Sequence, residues 1–138
     1  MPQIIEPLND EDADRVRKHR DWVVGHFDDA TAYDTVSGKL RVIQAILDNG
    51  WIAKHETWKL QSLGVAFGDA LAQELPELSW VAVDDEFGRD PALRWLQTNT
   101  LAFPLTAISK RVEDGIAVDV YQMFGGFQKA IKDGSGTK

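Results

Sequence analysis

Apolar positions recur every three to four residues up to about residue 75 and then change to a shorter period, so the chain reads as helices followed by sheet. Residues 1–8 read as extended, with Pro2 and Pro7 bracketing Ile4 and Ile5. Asn9 or Asp10 can cap a first helix, and Glu11, Asp12 and Asp14 suit the positive end of its dipole. Val16, Val23 and Phe27 form its apolar stripe, with His19 and Arg20 between the apolar turns, and it should end near Asp28 and Asp29. A second helix, capped by Asp34 or Ser37, buries Val36, Leu40, Ile43 and Leu47. It stops at Asp48-Asn49-Gly50, because Asn and Gly accept the left-handed conformation that closes a helix. A third starts between Ala53 and Thr57 and runs to about Leu75, where Pro76 ends it. Leu60, Leu63, Phe67, Leu71 and Leu75 line one face. Gly64 and Gly68 lie beside that face, and each costs about 1 kcal/mol against alanine. Close approach of another backbone is the natural compensation.

Residues 78–121 carry the sheet. Trp80 to Val83 form a short apolar run, residues 85–91 a turn with Gly88 free to take positive φ, and residues 92–96 a returning strand. Residues 101–112 are ambiguous. Leu105, Ile108 and Val112 fit a helix opened by Pro104, whereas Ile108, Lys110 and Val112 alternate as a strand. The strand is preferred on register: a three-residue loop at Glu113-Asp114-Gly115 sets Val112 against Ile116 and Ile108 against Val120. Asp119 or Tyr121 then leads into a last helix with Met123, Phe124, Phe127 and Ile131 on its apolar side, although Gly125 and Gly126 weaken it. Residues 132–138 read as a frayed tail. The expected fold is α+β: N-terminal helices on a small antiparallel sheet of about four strands, closed by a C-terminal helix, in one domain over residues 1–138.

The length of 138 residues suits one domain. Cysteine is absent, which removes disulfides, thiolate metal sites and cysteine nucleophiles and fits a cytoplasmic setting. The start has no signal-peptide pattern, and no stretch approaches the roughly 20 apolar residues of a spanning helix, so no membrane association is expected. A net charge of −7 repels phosphate and disfavours nucleic acid.

Catalytic patterns are missing. His19, His26 and His55 form no zinc-protease motif, and no serine sits in a nucleophile elbow. Asp84, Asp85 and Glu86 end a strand and could hold a hard cation, but alternation puts Asp84 and Glu86 on one face and Asp85 on the other. The plainer reading is a hairpin whose carboxylates pair with Arg89 or Arg94. Five tryptophans are many for this length. Trp80 is expected in the core, whereas Trp22, Trp51, Trp58 and Trp95 cannot all be, and a surface Trp suits a protein interface.

The motifs Trp80-Val81, Val83-Asp84-Asp85-Glu86-Phe87-Gly88, Phe103-Pro104, Ile108, Lys110-Arg111, Glu113-Asp114-Gly115 and Val118-Asp119-Val120 resemble a bacterial domain-of-unknown-function family, number 3806. Leu60-Gln61, Leu63-Gly64 and Gly68-Asp69 resemble its helical entry. The likeness covers about residues 57–131 and leaves 1–56 as a helical N-terminal extension. It implies a bacterial origin and transfers no catalytic residue. The function expected is that of a non-enzymatic protein-binding module, adaptor or immunity-like, without cofactor or metal. Its candidate contact residues are Trp80, Asp84, Asp85, Glu86, Arg89, Arg94, Lys110 and Arg111. The alternative is a metal-dependent hydrolase or small-ligand enzyme built on Asp84, Asp85 and Glu86.

Overall fold

A computed structural model describes residues 3–27 and 29–137. The fold is α+β, with helices packed around a four-stranded antiparallel sheet. Helix α3 (Thr57–Glu74) is its centre, touching α1 (Asp10–Val24), α2 (Val36–Asp48), α4 (Ala107–Glu113), α5 (Val120–Lys132) and strand β2 (Leu78–Asp85). Ser62 to Gly68 are buried without a break, as a helix enclosed on all sides requires. Phe67 meets Phe124 and Phe127 of α5 edge to face.

The sheet order is β1 (Ile4–Pro7), β2, β3 (Gly88–Trp95), β4 (Leu101–Ala102), antiparallel throughout. One face sends Leu78, Trp80, Leu93 and Ala102 into the main core. The other carries a smaller cluster of Val81, Val83, Ala92 and Leu101, flanked by Ile5 and Phe103. The β2–β3 hairpin turns on Glu86 and Phe87, with Gly88 at φ 110°. Pro91, expected in the turn, instead lies inside β3 opposite Ala82.

The expected caps are met at two helices. Asn9 and Asp12 make a reciprocal capping box on α1, and the Asp119 carboxylate accepts the Tyr121 and Gln122 N–H groups of α5. Thr35, rather than Asp34 or Ser37, caps α2 through the Gly38 N–H. Helix α1 ends at Val24, earlier than expected, with Gly25 as its cap; Asp28 lies outside the described residues. A 3-10 turn, Ala30–Asp34, then brings Tyr33 inward.

The preferred strand over residues 104–112 is overturned. A 3-10 turn at Pro104–Thr106 runs directly into α4. Gly115 is left-handed as expected (φ 75°), but it closes a helix instead of a hairpin. Its N–H donates to the Val112 carbonyl, and the Ile116 N–H donates to that of Arg111, the paired bonds of a Schellman ending. The four strands are therefore completed by β1 and β4, not by residues 108–120. Residues 134–137 also differ from a frayed tail: the Thr137 N–H donates to the Leu101 carbonyl at 2.9 Å, alongside β4. The glycine pair is explained by close approach. A Cβ at Gly64 would stand 2.4 Å from the Pro104 carbonyl oxygen, and one at Gly68 would stand 2.6 Å from the Trp80 ring.

Candidate functional site

The eight candidate residues do not converge. Arg89 forks onto Asp12 of α1 (Nη2 to Oδ2, 2.7 Å) and reaches Glu6 of β1 at 3.3 Å. That fork holds the Asp12 carboxyl below the usual carboxylate range. Asp84 faces Arg89 across the hairpin at 4.0 Å. Asp85 accepts the Phe87 N–H inside the turn, and Glu86 is exposed at its tip. Arg94 donates to the Thr98 and Gln97 carbonyls and so ties its own loop. The three carboxylates thus serve three different purposes. Among the described residues, no group of three or more His, Asp or Glu side chains could hold a metal.

Trp80 belongs to a network that the sequence did not expose. Its indole Nε1–H donates to Asp69 Oδ1 at 3.0 Å. Arg20 donates to both Asp69 oxygens (2.6 and 2.9 Å), and the Tyr33 hydroxyl donates to Oδ2 at 2.6 Å. The Asp69 side chain is only 12% exposed, so four donors around one carboxylate offset its desolvation. Burial, then the Asp69 charge, raises the Tyr33 hydroxyl above the ordinary tyrosine range. With both oxygens doubly occupied, Asp69 has no acceptor left for a ligand, and the network locks α1, α3 and β2 together. The signal available in the sequence was an acid inside a helix that is apolar all round, together with Arg20 between the apolar turns of α1.

A second buried polar pair joins α1 to α3. The Ser62 hydroxyl donates to the Trp58 carbonyl, so it accepts from His19 Nδ1–H at 2.8 Å. Nε2 of His19 is buried without a partner among the described residues, and Trp58 stacks on the ring at 4.6 Å between centroids. Burial, then the Arg15 charge, pushes the imidazole down to about 4.

Two separate surface concavities take up the remaining candidates, each lined by one residue of α4. Asp85 and Lys110 share a cleft of about 320 Å³ with Val83, Phe87, Asp90 and Phe103, beside the hairpin tip. Asp90 is held there by Arg15 at 3.1 Å, whereas Lys110 forms no ion pair among the described residues. Phe87 is 81% exposed. Arg111, the next residue along α4, lines a separate groove of about 470 Å³ against α5. Of the five tryptophans, Trp51 and Trp58 are exposed, at 61% and 47%, and Trp22, Trp80 and Trp95 pack against the core. No described helix is long and apolar enough to cross a membrane.

No curated protein matches the sequence. A crystal structure from Bacteroides thetaiotaomicron VPI-5482 shares the fold, with a TM-score of 0.77 at 18% identity over 96% of this chain. This chain spans about half of that protein's length, 48%. The family match runs from residue 39, inside α2, to residue 124, so it begins earlier than the expected 57–131 and ends before residue 131. Over residues 39–124 the sequence matches the family described as Domain of unknown function (DUF3806), and the chain belongs to that family.

Proposed function

We propose that the chain is a non-enzymatic protein-binding module, adaptor or immunity-like, working as a single domain in the bacterial cytoplasm and docking its partner at the hairpin cleft. Phe87 carries this reading. An aromatic side chain that is 81% exposed, at a turn position any polar residue could fill, has no role in packing the described fold. It stands beside a cleft whose apolar part is Val83 and Phe103, with the Lys110 ammonium, which forms no ion pair among the described residues, at its side. Aromatic anchors beside apolar pockets with a charged rim are what interface hot spots are made of. The acidic surface and the two exposed tryptophans fit the same role.

The test is capture from a lysate of the source organism by the immobilised chain, compared with the Phe87→Ala variant. Wild type should retain one protein stoichiometrically. Phe87→Ala should hold it at least about tenfold less, the cost of a truncated hot spot, at an unchanged melting temperature. Equal retention by the two proteins, or capture of nothing but further copies of the chain, would sink the proposal.

A further inference from the structure

The groove between α4 and α5 differs in chemistry from the hairpin cleft and does not depend on it. Arg111 spends one guanidinium N–H on the Ala107 carbonyl of its own helix, at 2.8 Å. It forms no ion pair among the described residues, so its other donors are left for whatever enters the groove. Ile116, Val118, Met123 and Phe127 form the apolar part of the groove, and Asp119, Gln122 and Thr137 also line it. Its volume of about 470 Å³ lies within the range of small-molecule sites. Gly126 forms part of the wall, and a Cβ placed there would meet no atom within 4 Å. Glycine weakens a helix interior, and no described atom of this chain uses the space it leaves.

The charge present limits the ligand. Asp119 lies in that lining, and its Oδ1 accepts the Tyr121 and Gln122 N–H groups at the start of α5. One guanidinium beside one carboxylate, which keeps its negative charge, disfavours a phosphate dianion more than a monoanion. The planar fork of arginine matches a carboxylate. We propose that this groove binds a small amphiphilic carboxylate, with Arg111 gripping the acid group and the apolar body lying over Met123 and Phe127 against Gly126.

Decanoate is the probe, titrated calorimetrically into the full chain below its micelle concentration, with decanol as its neutral counterpart. Decanoate should bind wild type saturably at one site, at least tenfold more tightly than decanol. Arg111→Gln should weaken decanoate at least tenfold. Gly126→Leu, which fills the groove from a position with room for a side chain, should abolish binding without lowering the melting temperature. Gly125→Leu, beside the groove but not lining it, should bind as wild type does, and so should Phe87→Ala, which separates this site from the hairpin cleft. The proposal is overturned if wild type shows no saturable decanoate binding, if decanol binds as well as decanoate, or if Gly126→Leu binds like wild type.

Discussion

Replacing Gly64 by alanine tests the packing logic of the fold directly. The added Cβ would lie 2.4 Å from the Pro104 carbonyl oxygen, 2.5 Å from that of Leu105 and 2.9 Å from the Leu105 carbonyl carbon. Ordinary contact begins near 3.5 Å, so the Pro104–Thr106 turn must retreat by roughly 1 Å. Those neighbours are backbone atoms of buried residues, which cannot rotate away as a side chain can. Overpacking of this kind costs about 1–3 kcal/mol, and the upper part of that range applies here. Alanine returns about 1 kcal/mol of helix propensity, which leaves a net loss of about 2 kcal/mol. Gly125→Ala is the matched control. It also lies within a helix, but its Cβ would meet nothing within 4 Å, so only the propensity gain of about 1 kcal/mol remains. The two variants should thus differ by about 3 kcal/mol, with opposite signs relative to wild type. Urea denaturation reads this as midpoints separated by about 1 M or more at unchanged slope. Gly68→Ala should also destabilise, by more than about 1 kcal/mol, because its close neighbours are the Trp80 ring, held by Asp69, and the Pro104 ring, neither of which can swing away. If Gly64→Ala proved as stable as wild type, the close approach of the turn would not be what selects glycine there.

Asp69→Asn should destabilise the chain by roughly 2–3 kcal/mol by urea denaturation. Asn supplies one acceptor oxygen where four donors converge, and the 34% exposure of Arg20 lets water recover part of the loss. An unchanged midpoint would show that the network is incidental. Stability should also fall in mild acid through His19. Its folded value near 4 lies below the ordinary histidine value of about 6.5, so the unfolded chain takes up the proton first. This contribution is complete above pH 6.5 and is lost as pH falls toward 4, about 3 kcal/mol in all. His19→Gln should flatten the dependence by one proton in that window; an identical slope in wild type and variant would mean that other groups cause it.

The central hairpin and the helices other than α4 were legible because their signals are local. Asn9 opens α1, Asn49 and Gly50 close α2, and Met123, Phe124, Phe127 and Ile131 of α5 are buried as their spacing requires. The apolar run at Trp80 to Val83 gave β2 for the same reason. Helix α4 was misread because Glu113-Asp114-Gly115 serves equally as a hairpin loop and as a helix ending: both need one left-handed glycine. What separates them is the fit of Pro104 and Leu105 against Gly64, a contact between distant parts of the chain that no local window contains. The polar residues behaved alike. Asp84, Asp85, Glu86 and Arg89 are neighbours in sequence, but Arg89 is claimed by Asp12 and Glu6 from the other end of the chain. Asp69 likewise draws Arg20 from α1, Tyr33 from the 3-10 turn and Trp80 from β2. Periodicity fixes which side of an element a residue occupies; which partner meets it there is decided only when the elements pack, because counter-charges and donors act through space across any separation in sequence.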